Sequence, residues 1–261
     1  MQGGVAPFIA ALAVALALSP FRLGGLAVLA AFLTCAYFVF GLQFMPLTAT
    51  RKVLLLTIAA PVVGILLDFA FKPTRVGAAI IALAAAVAAL WAFWPVIMSR
   101  PPAEAWRLGA TAAVAAAFMV GFSQSQLAAD GVRAGAAGLA VGLAAGITSI
   151  IGASAAFGLQ GIALGAGAGA FLLPQMIRGK KSFAGATFTA TAMLAGSLVA
   201  AATMILAQVP WYSVLLLALI PVAARLPLPQ GAPVWLQALL CSLYGFVVAA
   251  AVCVLAWPST Q

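Results

Sequence analysis

Charged residues in this chain come in small knots, and long apolar stretches run between the knots. Between Arg22 and Arg51 lie 28 uncharged residues, between Arg75 and Arg100 lie 24, and between Arg107 and Asp130 lie 22. Arg133 to Arg178 encloses 44, and Lys181 to Arg225 encloses 43. A helix needs about 20 residues to cross the hydrocarbon of a bilayer. The shorter intervals therefore hold one crossing each and the two longest hold two. The stretches are rich in Ala and Leu and do not alternate polar with apolar positions, which predicts helices rather than barrel strands. The predicted spans are 5–19, 24–45, 53–71, 76–98, 106–127, 133–151, 157–177, 184–207, 211–225 and 234–256. Breaks fall at Pro20, Pro46, Pro73, Pro101-Pro102, Pro210 and Pro227-Leu-Pro229, where the ring removes a helix donor. Trp91, Trp94, Trp106, Trp211, Tyr212, Trp235 and Trp257 sit near these ends, as an interfacial belt requires. The first and ninth spans are short, so the expectation is an all-α polytopic protein of ten helices, or eight to ten if those two do not fully cross.

With 66% hydrophobic and 6% charged residues, against roughly 25% charged in a soluble domain, the whole of 1–261 reads as one integral membrane domain. Two five-helix halves, 1–128 and 129–261, are a natural division for an inverted repeat. The net charge is +9, but twelve bases scattered over the loops form no stripe for nucleic acid. Membrane lipids are the expected partners of these loop cations. Met1–Phe21 lacks the basic start of a signal peptide and reads as a retained first span. With ten crossings, Arg22, Lys72, Arg75, Arg133, Arg178, Lys180, Lys181 and Arg225 share one side, and Arg51, Lys52, Arg100 and Arg107 share the other. The richer side is then cytoplasmic. Both termini face the periplasm of a bacterial inner membrane on this reading.

The chain withholds most chemistry-bearing residues. There is no histidine, which removes imidazole haem ligation, the usual zinc sites and Ser-His catalysis. Cys35, Cys241 and Cys253 form no CxxC pair and read as small apolar fillers. Each of the three acids has a base one turn later: Asp68 with Lys72, Glu104 with Arg107, Asp130 with Arg133. These read as neutralised pairs at span ends. Asp68, set deepest in apolar sequence, is also a candidate proton or cation site. No enzyme, metal or cofactor is expected.

The strongest local signal is glycine: 14 of the 25 glycines fall in 131–196. Gly138, Gly142 and Gly146 recur every four residues, as do Gly161, Gly165 and Gly169, so each set lines one helix face and lets a backbone approach. One reading is a tight hairpin of packed helices. The other is that Gly165-Ala-Gly167-Ala-Gly169 unwinds and exposes backbone to a solute. Polar neighbours keep the second reading open: Gln124 near the end of the fifth span, Ser149 and Ser154 around the end of the sixth, Gln160 and Gln175 flanking the glycines, and Thr187 and Thr191 opening the eighth. Hydroxyls of this kind also commonly bond their own helix carbonyls.

The stretch Gly165-Ala-Gly167-Ala-Gly169-Ala-Phe-Leu-Leu-Pro174, followed by Gly179 and Ala184, loosely resembles the glycine-rich motif of TauE/SafE-type sulfite exporters. That family uses two such repeats for organic and sulfur-containing anions, so the resemblance implies a kind of site. Ala168 stands where the motif favours glycine, and the first half of the chain holds no partner motif. The functional expectation is a small permease or exporter for a small polar or anionic solute, with its path through the sixth to eighth spans. The alternative is a non-catalytic membrane subunit or scaffold that docks a membrane protein partner, or a second copy, through its GxxxG faces.

Overall fold

In hydrocarbon each backbone N–H and C=O must be satisfied within the protein, and this chain meets that demand with helices alone. The computed structural model describes residues 4–41, 44–70, 74–229 and 231–257, and no strand occurs among them. The elements are α1 (Val5–Leu18), a 3-10 turn (Ser19–Phe21), α2 (Leu26–Phe40), α3 (Ala49–Ala70), α4 (Arg75–Met98) and α5 (Pro102–Gln126). They continue with α6 (Gly131–Ile151), α7 (Ala155–Arg178), α8 (Gly185–Leu206), α9 (Trp211–Leu217), α10 (Ile220–Ala223) and α11 (Val234–Ala256).

Seven of these, α3 to α8 and α11, are long and apolar enough to cross a membrane. Every predicted span coincides with helix, but three fall short of the crossing length. α1 and α2 have 14 and 15 residues, with α2 ending well before position 45. The ninth span is interrupted between α9 and α10, at Ala218-Leu219.

Helix α8 is the axis of the bundle. Every residue from Gly185 to Ile205 is buried, and α2 to α7 and α9 all pack on it. Beside it runs the tightest seam in the molecule, the antiparallel hairpin of α6 and α7. A Cβ placed on Gly161 would overlap the backbone of Gly146, and one on Gly142 would overlap Gly165. Gly138 lies opposite Ala168, and Gly135 opposite Leu172. The glycine periodicity thus marks a helix–helix interface in which both faces are spent on each other. Helix α7 is unbroken from Ala155 to Arg178, so the expected unwinding at Gly165–Gly169 does not occur. Gly165 packs on Leu143, Gly167 on the backbone of Val28 in α2, and Gly169 only meets the tip of Leu139 at an ordinary 3.6 Å.

The seam makes a contrast within one helix. Gly161→Ala forces α6 and α7 apart and is expected to destabilise the protein by about 3 kcal/mol or more, at the upper end of overpacking penalties. Gly169→Ala has room and removes a helix-weakening glycine, so it should be neutral or stabilising by up to about 1 kcal/mol. Thermal unfolding of both variants in the same detergent checks the pair.

Candidate functional site

Six helix ends converge at one end of the bundle: the C-termini of α3, α5, α7 and α10, and the N-termini of α6 and α8. The first backbone N–H groups of a helix have no partner inside it, and here they are satisfied from other elements. At α8, Gly185 N–H donates to the carbonyl of Ala128 at 2.9 Å. Ala186 N–H donates to Asp68 Oδ1 at 2.7 Å, and Thr187 N–H to Asp68 Oδ2 at 2.9 Å. The Thr187 hydroxyl donates to the same Oδ2 at 2.7 Å. Asp68, on α3, therefore caps α8 across 118 positions of sequence. A carboxylate placed here also complements the positive end of the helix dipole. Gly185 has φ +67°, and a Cβ on it would collide with the Asp68 carboxylate, so this junction requires glycine. Gly64, one turn before Asp68, lets the Thr187 backbone come close.

The start of α6 is built in the same way. Gly131 N–H donates to the Ser182 carbonyl at 2.9 Å, and Asp130 Oδ1 accepts from Val132 and Arg133 N–H at 3.1 and 3.3 Å. Asp130 Oδ2 meets Lys181 Nζ at 2.8 Å and Arg133 Nε at 3.7 Å. Arg133 also donates to the carbonyls of Ala224 and Leu226, at 2.9 and 3.0 Å. Gln175 donates to Phe171 O at 3.1 Å and accepts from Ser182 N–H at 3.0 Å, which stitches the α7–α8 loop. The Thr189 hydroxyl donates to Gln124 Oε1 at 2.7 Å and contacts the Gly185 carbonyl at 2.8 Å.

The expected acid–base pairs fare differently. Asp130 and Arg133 do pair, with Lys181 added. Glu104 meets Arg100 at 3.6 Å rather than Arg107, because Arg100 lies just before the start of α5 and folds back over its first turn. Lys72 lies outside the described residues. Both oxygens of Asp68 are engaged, Oδ1 by one donor and Oδ2 by two.

The other candidate residues divide along α7. Gln160 and Gln175 lie on one unbroken helix and are about 22 Å apart at 1.5 Å per residue. Gln175, Gln124, Thr187 and Thr191 belong to the polar hub, and the Thr191 hydroxyl bonds its own helix at Thr187 O. Near the opposite end, the Ser149 hydroxyl lies 2.7 Å from that of Thr203, each also bonding its own helix. Ser154 precedes α7 without a side-chain capping bond. The Gly146–Gly161 contact sets Gln160 within one turn of Ser149. Gln160 is fully buried, and neither its amide nitrogen nor its carbonyl oxygen has a hydrogen-bond partner. It is the most polar side chain in that condition among the described residues; the others are the hydroxyls of Ser123, Ser182 and Ser213. Reading the sequence misses Thr203 and Ser182. No motif marks Thr203, whose partner comes from another helix, whereas Ser182 stands in the polar loop Lys180–Ser182 and could have been suspected.

Removing the Asp68 cap exposes α8 donors in the interior. Asp68→Ala is expected to cost about 1–2 kcal/mol, the range of strong helix caps. Thr187→Val should cost less, and the double variant should fall short of the sum because the two share one bond. Unfolding midpoints of the three variants decide this.

No protein-family model matches the chain, and no curated protein is significantly similar to it.

Proposed function

We propose that the protein is a small multi-pass permease or exporter of a bacterial inner membrane, which moves a small polar or anionic solute along α6, α7 and α8. The observation that carries this reading is Gln160. An amide taken out of water with no compensating bond costs about 1–3 kcal/mol by protein mutational measures. Polar groups kept inside a membrane bundle at such cost mark substrate pathways more often than packing. Gln160 offers one acceptor and two donors at a level where Ser149 and Thr203 add hydroxyls. That neutral, amphoteric lining suits a solute carrying its own donors and acceptors. The hub at the far end of α7 supplies cations, Arg178 and Lys180 among them, at the mouth of the same path.

Two further features support the reading. α2 packs on α7 and α3 on α8, pairs five places apart in the helix order, as two five-helix halves would place them. Counting the broken α9–α10 segment as one crossing gives ten. The Arg22, Arg133, Arg178, Lys180, Lys181 and Arg225 knots then lie together on the cytoplasmic side. The alternative, a subunit that docks partners through GxxxG faces, has less support, because those faces meet each other within the chain.

Gln160→Met separates the two readings. Replacing an unpaired amide with an apolar chain of similar length should raise stability by about 1–2 kcal/mol. In proteoliposomes screened with amino acids, monocarboxylates, sulfonates and sulfite, the same variant should lose the flux that wild type shows. Flux through the Gln160→Met variant equal to that of wild type would remove Gln160 from the path. A wild type inactive toward the whole panel that co-purifies with a stoichiometric foreign subunit would favour the scaffold reading.

A further inference from the structure

Helices α4 and α5 are close at one end and splayed at the other. A Cβ on Gly121 of α5 would lie 2.8 Å from Ala82, whereas one on Gly109 meets only the side-chain tips of Leu90 and Ile97, at 3.5 and 3.8 Å. The splay opens an apolar cleft of about 510 Å³, walled by Leu90, Trp94 and Ile97 on α4 and by Gly109, Ala110 and Ala113 on α5. From Pro102 to Ala113 the cleft follows about 16 Å of helix, which is half of a hydrocarbon core about 30 Å thick. It is therefore as deep as one leaflet.

The mouth of the cleft is aromatic and basic. Trp94 and Trp106 are 52% and 78% exposed. A second cavity of about 460 Å³ shares Leu90 and Trp94 with the cleft and is bounded by Lys52 and Trp91. Lys52 Nζ donates to the Trp91 carbonyl at 3.1 Å and lies 4.7 Å from the centre of that indole ring. Its partners are neutral, and no carboxylate meets it among the described residues. Arg100 and the exposed Arg107 add two bases, against the single acid Glu104, whose distance to Arg100 is 3.6 Å. Lys52 is thus held at a tryptophan-lined interface by uncharged groups, with no anionic partner among the described residues.

We propose that the α4–α5 cleft is a binding site for one anionic phospholipid, with an acyl chain against Gly109, Ala110 and Ala113 and the headgroup phosphate at Lys52 and Arg100. Three properties together specify that occupant: an apolar slot one leaflet deep, an aromatic rim at headgroup level, and an excess of bases over acids at the opening. This inference rests on the chain being embedded in a membrane and is independent of transport.

The test is native mass spectrometry of the full chain in detergent, titrated with phosphatidylglycerol or phosphatidylcholine of equal chain length. Wild type should retain one phosphatidylglycerol, with a preference of about fivefold per basic contact. Lys52→Gln should keep one lipid but lose most of that preference. Ala110→Phe, at an exposed position, should fill the slot and retain neither lipid, whereas Val247→Phe on the exposed face of α11 should behave as wild type. Equal retention of the two lipids by wild type would overturn the proposal. So would an Ala110→Phe variant that holds lipid as wild type does, or a dimer of the chain that this substitution breaks. Lys52→Gln decides the headgroup contact even if Ala110→Phe fails to fold.

Discussion

Backbone-to-backbone contact at the α6–α7 seam is the constraint on which the rest of the molecule depends. Among lipid tails, helices gain nothing from hiding apolar side chains from one another, so association relies on close packing. Gly142, Gly146, Gly161 and Gly165 supply that packing by leaving no side chain between two helices. The seam fixes the register of α7 against α6, and that register fixes the heights of Gln160 and Gln175. It also leaves a shared surface on which α8 lies: Gly196 of α8 receives Val141 of α6 and Leu164 of α7. Gly245 brings α11 against Ala140 on another side of α6. Small residues recur at these contacts because each approach is limited by the bulk of one side chain.

Packing sets the distances, and helix termini set the asymmetry. At the hub the α8 N-terminus is closed by Ala128 and Asp68, and the α6 N-terminus by Ser182 and Asp130. The bonds to the two carboxylates are stronger than those to neutral carbonyls, and Lys181 and Arg133 tie further elements into the same cluster. At the opposite end α6 and α8 are joined by the neutral Ser149–Thr203 pair. The two ends of the bundle therefore resist separation unequally. A movement that opens space around Gln160 breaks neutral contacts, whereas one that opens the hub must strip a carboxylate of its donors. Asp68 is in this sense a fastening between α3 and α8, and its charge serves the fold before it serves any ion.

Much of this was legible in the sequence, and what escaped has a common cause. The positions of the helices followed from the spacing of charged knots, and the partnership of the two glycine faces followed from their period of four. Both are properties of consecutive residues. Whether a segment is long enough to cross was harder, because α2 stops at Phe40 and the α9–α10 break carries no charge to reveal it. Asp68 had Lys72 as its obvious neighbour, yet its bonds go to residues more than a hundred positions away. Local spacing cannot rank a partner that only the fold brings near. Glu104 illustrates the same limit on a smaller scale, since bases stood within reach on both sides of it. For the hydroxyls, the expectation that they bond their own carbonyls was sufficient at Thr191. It was incomplete at Ser149, whose hydroxyl also meets that of Thr203.

Gln160 differs from every other candidate in what its neighbours fail to do. Gln175 and Gln124 each find partners, which shows that this fold can satisfy an amide where one is structural. Nothing in the surroundings of Gln160 bonds its buried amide, so the amide adds nothing to packing that methionine or leucine would not supply. The amide is then a cost in stability without structural return, which is the ground on which the proposed path rests. α7 passes through Gly165 and Gly169 as continuous helix, and there the two glycines pack against Leu143 and Leu139 of α6. On the proposed reading the chemistry of the path comes from side chains, and at the end of the bundle away from the hub those are the amide of Gln160 and the Ser149–Thr203 hydroxyl pair.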